Sequence, residues 1–291
     1  MDNILILGGT GFIGKSLISK LEKNNSLKIM IHNSELSTTA NTFKGDILKK
    51  ESFFNEIREN EIIINLLGQL TPNESDYINL NIFGGINLLD SCVEKKIKKI
   101  ILISSINVYG ENLDKPSTEN DPLKPQTFYG LVKMITEQIY EYYAKSYGLS
   151  ITILRLAGVY GPNKNNGFLS QIINSTKDNS IIPICYNSGQ QQRDMIFVDD
   201  VIHCIIEIIK YNPEGFQLFN VSSGKRYSMN ELISMVEELT KTKISIKNSS
   251  KIPDEKCIWA DNTKINQFLK FKPEMGIKQG LQITIENSKF S

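Results

Sequence analysis

Two side chains that could exchange a proton lie four positions apart near the middle of the chain. Tyr129 and Lys133 fall at the start of a run that reads as a helix (130–146), so both can lie on one helical face. A phenol, with a pKa of about 10, needs its phenolate stabilised by roughly 3 pKa units, or ~4 kcal/mol, to work near neutral pH. A lysine ammonium contributes to that stabilisation, and so does the positive ring of an oxidised nicotinamide. The pair therefore predicts proton exchange with a substrate oxygen, coupled to hydride transfer.

The same Tyr-x-x-x-Lys spacing occurs a second time, at Tyr160 and Lys164. That copy contains Gly161 and Pro162 and falls in a predicted loop, so its two side chains need not face each other. The first copy begins a helix and follows an apolar strand that closes on two serines. We therefore assign the chemistry to the first copy.

A glycine-rich turn follows the first apolar strand. The segment Gly8-Gly9-Thr10-Gly11-Phe12-Ile13-Gly14 contains GxGxxG and the wider GxxGxxG. A turn without side chains lets backbone N–H groups approach a pyrophosphate, and the helix that follows directs its positive end at the phosphates. Because the motif joins a strand to an amphipathic helix, it predicts a dinucleotide site.

The second strand ends without the acid that usually holds the adenosine ribose. His32 and Asn33 stand there instead, and no arginine or lysine occurs over positions 32–42. NAD is favoured because no cation is present for a 2′-phosphate, and NADP stays open. His32 or Asn33 is the predicted ribose contact, each weaker than a carboxylate, and His32 is carried forward.

Strand-like and helix-like runs alternate over the first half of the chain. The predicted strands are 4–7, 28–31, 62–67, 100–104 and 151–155, and the predicted helices are 13–23, 82–94 and 130–146. This alternation predicts an α/β fold with a parallel sheet covered by helices on both faces. We predict a dinucleotide-binding domain over 1–155 with a return segment at about 194–222. A smaller lobe comprises 156–193 and 223–291, with a strand at 195–198 and helices near 168–177, 229–240 and 263–269.

Composition excludes several classes of protein. The 291 residues include 33 basic and 32 acidic side chains, a balance that gives no field for attracting nucleic acid. The four cysteines are far apart and predict reduced thiols without a metal site. The apolar runs are too short to cross a membrane, and no signal peptide is expected. We expect a soluble cytoplasmic protein.

Taken in order, these motifs resemble the extended short-chain dehydrogenase/reductase family in its nucleotide-sugar epimerase/dehydratase branch. The resemblance extends from about residue 3 to residue 281. It rests on the glycine turn, Gly45-Asp46-Ile47, Ser104-Ser105-Ile106-Asn107-Val108-Tyr109-Gly110, Tyr129-Gly130-Leu131-Val132-Lys133, Arg155 to Pro162, Gln192-Arg193-Asp194 to Val201, and Asn220 to Gly224.

The resemblance implies a Rossmann-type doubly wound parallel sheet with a smaller C-terminal substrate-binding lobe. It implies that Ser105 and Tyr129 act on the substrate, that Ser104 assists, and that Lys133 holds the nicotinamide ribose and lowers the tyrosine pKa. The implied cofactor contacts are Gly8, Gly11, Phe12, Ile13, Gly14, His32, Asp46, Ile47, Leu67, Asn81, Tyr129 and Lys133. The implied substrate contacts are Ser105, Asn107, Arg193 and Lys251. A nucleotide-diphosphate sugar and a homodimer are the implied partners.

Departures from the family pattern narrow the reaction. Dehydratases of this branch carry Asp and Glu directly after the catalytic hydroxyl residue, where this chain has Ile106 and Asn107. Neither is a general acid, so dehydration is disfavoured. Gly158 replaces a family Asn. The leading hypothesis is a 4-epimerase acting through a transient 4-keto sugar. Alternatives are a keto-sugar reductase or dehydrogenase with the same residues, and a non-catalytic cofactor-binding assembly protein.

Overall fold

The first half of the chain alternates strands with helices. In order, the elements are β1 (Asn3–Leu7), α1 (Phe12–Leu21), β2 (Ser26–Ile31), β3 (Asn41–Lys44), β4 (Ile62–Asn65), α2 (Glu74–Ile78), a π-helix (Asn79–Phe83), α3 (Gly84–Glu94), β5 (Lys99–Ser105), α4 (Phe128–Tyr147) and β6 (Ser150–Leu156). The structure, a computed structural model, describes residues 2–59, 61–68, 73–97, 99–112, 114–178, 183–211, 213–249 and 257–288.

The second half is built from shorter elements. They are β7 (Gly158–Tyr160), α5 (Phe168–Ser175), β8 (Ile184–Tyr186), β9 (Gln192–Phe197), α6 (Val198–Tyr211), β10 (Phe216–Val221), β11 (Arg226–Ser228), α7 (Met229–Thr240), β12 (Lys247–Ser249), β13 (Cys257–Ile258), α8 (Thr263–Leu269) and α9 (Ile277–Ser288). Single turns of 3-10 helix lie at Lys50–Ser52, Phe54–Glu56, Ile106–Val108 and Asn187–Gly189.

The central sheet has seven strands in the order β10-β6-β5-β4-β1-β2-β3. Neighbouring strands from β5 to β3 run parallel. The order reverses between β1 and β4, and ligands of open parallel sheets bind where the order reverses, beyond the carboxyl ends of the strands. The predicted Rossmann-type fold is therefore confirmed, and it directs attention to the residues that follow β1 and β4.

Helices cover the sheet because their apolar side chains recur on one face. In α1 the buried residues Gly14, Leu17, Ile18 and Leu21 recur at helical spacing. In α4 the buried set includes two charged residues, Lys133 and Glu137, among apolar ones. Burying a charge is costly unless it is paired, so Lys133 and Glu137 are expected to have polar or charged partners in the site.

The chain divides into two compact units. Unit 1 comprises Met1–Val108, Thr127–Arg155 and Cys204–Phe219, and unit 2 comprises Tyr109–Gln126, Leu156–His203 and Asn220–Ser291. The predicted division differs in two places. Residues 109–126 belong to unit 2, and the segment that returns to unit 1 is shorter than the predicted 194–222. Within unit 2, β7, β11 and β13 all pair with β9, and β8 pairs with β12.

Several predicted elements change at their ends. The strand predicted over 62–67 ends at Asn65, and the Leu67 N–H is bonded by the Asn65 side chain rather than by a neighbouring strand. The helix predicted over 82–94 begins as α3 only at Gly84, after the π-helix. The strand predicted to include Val198 ends at Phe197, since Val198 opens helix α6 with two acids in its first turn.

No helix in the described ranges combines the length and apolar character that a bilayer crossing requires. The four cysteines, all within those ranges, are buried and form no disulfide. The same ranges contain no cluster of three or more histidine, cysteine or acidic side chains placed to hold a metal ion.

Candidate active site

The glycine turn has the geometry that a phosphate site requires. Gly8 has a φ of +82°, and Gly11 N–H donates to the Gly8 carbonyl at 3.1 Å. Helix α1 starts at Phe12 with Gly11 as its N-cap and no acid in its first turn. Its first N–H groups have no partner within the helix, so they and the positive helix end can receive an anion. These residues fit a dinucleotide pyrophosphate.

Gly14 is where α1 rests on the turn. A Cβ at this position would lie 2.5 Å from the Gly8 carbonyl oxygen and 2.6 Å from Gly9 Cα. Both are backbone atoms, which cannot rotate away as a side chain would. Only glycine lets α1 start this close to the phosphate turn.

The turn after β4 forms a second wall of unit 1. Asn65 Nδ2 donates to the Tyr140 hydroxyl at 2.8 Å, and Asn65 Oδ1 accepts from Leu67 N–H at 3.0 Å. Gly68 follows with a φ of +131°. A Cβ on Gly68 would lie 2.0 Å from Lys133 Nζ and 2.8 Å from Asn81 Oδ1. The structure thus brings together the predicted residues Leu67, Asn81 and Lys133 around a glycine.

Asn81 is positioned by the π-helix. Its Nδ2 donates to the Tyr77 carbonyl at 2.8 Å, which directs Oδ1 toward the Gly68 turn. Wide turns of this kind are frequent at functional sites. The prediction that Asn81 lies in the site is therefore consistent with its geometry.

Tyr129 and Lys133 lie in the first two turns of α4, which Thr127 caps by accepting from Gly130 N–H. Lys133 Nζ donates to the carbonyls of Ile103 (3.2 Å) and Leu67 (3.4 Å). Burial lowers the pKa of Lys133 to about 8, although the Glu137 carboxylate partly opposes this effect. The lysine is thus held, still largely protonated at neutral pH, between the ends of two strands.

Ser105 connects the strand end to Tyr129. Burial raises the pKa of Tyr129, and a hydrogen bond with Ser105 partly opposes the rise. Ser105 Oγ also donates to Asn107 Oδ1 at 3.0 Å and accepts from Asn107 N–H at 3.3 Å. A hydroxyl has only one proton to donate. When the serine proton points to Asn107, Ser105 Oγ can accept a hydrogen bond from the neutral Tyr129 phenol. When Tyr129 is a phenolate, the Ser105 hydroxyl can rotate and donate its proton to the phenolate oxygen.

Tyr77 packs on Tyr129 from helix α2. The two rings are stacked with centroids 5.7 Å apart and planes 23° apart. The Tyr77 ring is fully buried, and no hydrogen-bond partner for its hydroxyl is found among the described residues. Stacking fixes the plane of the Tyr129 ring, which orients its hydroxyl.

His32 and Asp46 meet at the carboxyl ends of β2 and β3. His32 Nε2 lies 3.9 Å from Asp46 Oδ2, and Asp46 Oδ1 accepts from Leu48 N–H at 3.0 Å. The end of β2 carries no acid of its own, but the Asp46 carboxylate from the end of β3 lies beside it. Ile47 lies in the hydrophobic core, so its side chain is not free to face a ligand.

Unit 2 has a pocket of its own, with a volume of about 220 Å³. Its lining includes Arg193 and Lys164 with the apolar side chains of β7, α5 and α7. Arg193 Nη1 donates to the Gln192 carbonyl at 2.8 Å. Cations against an apolar wall suit a phosphate-bearing ligand. A Cβ on Gly158 would lie 2.8 Å from Met195 Sδ. Met195 therefore occupies the space that the side chain of the family's Asn would need at position 158.

The second Tyr-x-x-x-Lys copy is not helical, as predicted. Tyr160 ends β7, and Lys164 lies in the loop that follows. Tyr160 donates to the Ile277 carbonyl at 3.4 Å, while Lys164 Nζ donates to the Val159 carbonyl. Lys251, predicted as a second phosphate contact, lies outside the described residues.

Comparison with known proteins agrees with this geometry. The model of the NAD dependent epimerase/dehydratase family matches residues 4–222. The chain belongs to this family.

A putative UDP-glucose 4-epimerase of Methanocaldococcus jannaschii is 31% identical over 96% of each chain. A UDP-glucuronate 4-epimerase of Thermodesulfobacterium geofontis is 32% identical over 73% of this chain and 66% of its own. The crystal structure of the Thermotoga maritima UDP-glucose 4-epimerase with UDP-glucose has a TM-score of 0.89 and 25% identity, covering 99% of both chains.

Some residues of unit 1 that contact the predicted site residues were given no role from the sequence. Sequence reasoning missed Gly68, Tyr77 and Glu137. Glu137 follows Lys133 by one helical turn, and an acid on a buried helical face requires a partner; that spacing is a signal that could have found it. Ser104, predicted as a helper, donates its hydroxyl to Glu137 instead.

Gly68→Ala is expected to weaken cofactor binding and turnover together. The new methyl group would overlap Lys133 Nζ, and alanine is strained at a φ of +131°. Since a misplacement of about 1 Å near the chemistry can cost about 100-fold, we expect kcat/KM to fall by about 10- to 100-fold. Steady-state kinetics at varied NAD would measure it. Gly215→Ala, also at positive φ but with open space around it, separates backbone strain from displacement of Lys133.

Proposed function

We propose that the protein is an NAD-dependent 4-epimerase of UDP-linked sugars. The observation that carries the proposal is the placement of Ser105, Tyr129 and Lys133 beside a glycine turn fitted to a dinucleotide. Two of the relatives that match nearly the whole chain are named as a putative UDP-glucose 4-epimerase and a UDP-glucose 4-epimerase, and others of equal coverage are named as UDP-glucuronic acid decarboxylases. The glucuronate enzyme, matched over 73% of the chain, widens the range to UDP-hexuronates.

The residues of unit 1 act on one oxygen of the sugar. Ser105 holds the C4 hydroxyl, and Tyr129 as phenolate accepts its proton. The Lys133 ammonium stabilises the phenolate, and the Ser105 proton can turn toward it. Bound NAD supplies the hydride acceptor and donor at C4. As hydride returns to the opposite face of C4 in the 4-keto sugar, Tyr129 gives the proton back to the C4 oxygen, and the 4-epimer is formed.

Two neighbours of Ser105 support epimerisation over dehydration. Ile106 is buried and apolar, and Asn107 is engaged with Ser105 in both directions. Neither can deliver a proton to a leaving hydroxyl. In unit 2, Arg193 is the proposed contact for the diphosphate.

The His32–Asp46 pair supports NAD as the cofactor over NADP. A carboxylate beside His32, a side chain predicted to contact the ribose, would repel a 2′-phosphate. Asp46 is accordingly proposed as a cofactor contact together with His32.

We further propose a cytoplasmic homodimer. Large apolar side chains are exposed on and beside α3 and α4, namely Phe83, Leu131, Tyr142 and Tyr147. An exposed apolar patch indicates an interaction surface, so we place the dimer contact on α3 and α4. Light scattering of the purified protein would measure the mass of the assembly.

The test is direct conversion of sugar nucleotides. Purified protein with NAD would be incubated with UDP-glucose, UDP-N-acetylglucosamine and UDP-glucuronate, and C4 epimers quantified by NMR. Formation of the 4-epimer without net change in nicotinamide absorbance supports the proposal. Net oxidation or reduction of the cofactor would identify a dehydrogenase or reductase instead, and no turnover with any sugar would leave only a binding role.

The rate of epimerisation is expected to fall as pH rises through about 8. The pKa of Lys133 is lowered to about 8, so the ammonium is present below this pH and lost above it. Without the ammonium the Tyr129 phenolate is less stable. A pH–rate profile of kcat would measure the alkaline limb. An alkaline limb above pH 10 would contradict the assignment of Lys133 to this role.

A further inference from the structure

Directly beyond the Tyr129–Lys133 pair, α4 carries a buried carboxylate that the proposed chemistry does not use. Arg155 on β6 donates to both oxygens of Glu137 from Nε at 3.1 Å, and from Nη2 to Oε2 at 2.6 Å. Ser104 on β5 donates its hydroxyl to the same carboxylate. Ser104, Glu137 and Arg155 are 3%, 4% and 3% exposed. We call these three residues the Glu137 clamp.

The clamp joins three elements at a single point. Glu137 comes from the catalytic helix, Ser104 from the strand that ends at Ser105, and Arg155 from the next strand of the sheet. A buried ion pair of this kind adds little net stability, because desolvation offsets most of the attraction. A bidentate arginine–carboxylate contact, however, holds its two side chains in a defined relative orientation. The clamp therefore restricts the rotation and the axial position of α4 relative to β5.

We propose that Glu137 is the positioning residue of the active site, fixing Tyr129 and Lys133 of α4 against Ser105 of β5 through its contacts with Ser104 and Arg155. The proposal rests on the proposed function for the identity of the reacting residues. Tyr129, Lys133 and Glu137 follow one another at four-residue intervals and so share one stripe of the helix. Ser104 and Ser105 are adjacent, so a shift of the clamp is transmitted to the serine that contacts Tyr129.

The charge of Glu137 also affects the protonation of Lys133. On α4, Lys133 lies one turn from Tyr129 and one turn from Glu137; Tyr77 of α2 stacks on Tyr129, and Arg155 of β6 pairs with Glu137. The β4 and β5 ends present carbonyl oxygens and the Ser105 hydroxyl. Of these groups, Glu137 is the one that raises the pKa of Lys133. Its carboxylate thus helps to keep the ammonium charged in a buried site.

The test compares Glu137→Gln with the wild type by two measurements. The first is an NMR titration of the lysine side-chain resonances, with the Lys133 signal assigned by its absence in Lys133→Met. We expect the Lys133 midpoint to fall by about one unit from its wild-type value. The second is steady-state kinetics, where we expect kcat to fall about 10- to 100-fold and KM for the sugar nucleotide to change less than about threefold.

Further variants keep the test decisive. Glu141→Gln makes the same change one turn further along α4, in an exposed pair with Lys145, and should match the wild type. If Glu137→Gln fails to fold, Glu137→Met combined with Arg155→Met removes both charges together, and Ser104→Ala removes only the hydroxyl contact. Each should lower kcat with little change in KM, Ser104→Ala by about three- to tenfold.

Specific results would overturn the proposal. A folded Glu137→Gln protein with the wild-type Lys133 midpoint and wild-type kcat would do so, as would wild-type kcat in Ser104→Ala when no Glu137 variant folds. The NMR titration needs no sugar turnover. An inactive wild-type protein whose Lys133 midpoint still depends on Glu137 would therefore contradict the proposed function and leave the charge contribution of Glu137 established.

Discussion

Tyr129→Phe is expected to lower kcat by about 10²- to 10⁴-fold, the range that a positioned general acid–base contributes, with NAD affinity retained. The substitution removes only the hydroxyl from the stacked ring. The ring would keep its packing on Tyr77, with centroids 5.7 Å apart in the wild type. The loss should therefore appear in the chemical step. Single-turnover kinetics with a UDP-sugar, together with an NAD titration, would measure the two effects separately.

The size of the effect follows from the surroundings of the phenol. Burial raises the pKa of Tyr129 and the Ser105 hydrogen bond opposes the rise, so the phenolate needs the further stabilisation that the proposed mechanism assigns to Lys133 and the nicotinamide ring. Ser105 alone cannot replace Tyr129, because a serine hydroxyl is a far weaker acid than a phenol.

A matched control is Tyr211→Phe, which removes a phenol from an exposed tyrosine at the end of α6. It should keep wild-type kcat. If Tyr129→Phe also kept wild-type kcat, the assignment of the acid–base to Tyr129 would be wrong. A loss of NAD binding in Tyr129→Phe would instead indicate a collapsed pocket.

The reacting pair was predictable because its information is local. Tyr129 and Lys133 are separated by one helical turn, and helix α4 follows from its own apolar spacing and caps. The glycine turn is equally local, since strand, turn and helix are consecutive. Five strands of the seven-stranded sheet followed from alternating apolar runs, whereas the two edge strands, β3 and β10, were not predicted. Only one residue of Asn41–Lys44, Phe43, is apolar, and the strand lies at the sheet edge.

The Glu137 clamp was not predictable because its members are distant in sequence and chemically ordinary. Ser104, Glu137 and Arg155 meet only once β5, α4 and β6 are packed. The closeness of Asp46 to His32 was missed for the same reason: it depends on β3 lying beside β2. Position-specific motifs identify what reacts, whereas the residues that hold the reacting groups in place emerge from packing.

Gly14→Ala is expected to reduce NAD affinity by at least about 100-fold, or ~2.7 kcal/mol. Two effects of opposite sign compete here. Alanine stabilises a helix interior by up to about 1 kcal/mol relative to glycine. The added Cβ, however, would lie 2.5 Å from the Gly8 carbonyl oxygen and 2.6 Å from Gly9 Cα, and overpacking of this kind costs about 1–3 kcal/mol.

The steric effect should dominate because the clash is with backbone atoms of the turn itself. Relief requires α1 to move away from Gly8, which carries its first N–H groups away from the phosphate position. Isothermal titration of cofactor-free protein with NAD would measure the affinity, and thermal unfolding would measure the stability. Gly276→Ala is the matched control, since no atom lies within 4 Å of its Cβ position, and it should bind NAD normally. Wild-type affinity and stability in Gly14→Ala would show that α1 does not rest on the turn in solution, and the phosphate site would then have to lie elsewhere in unit 1.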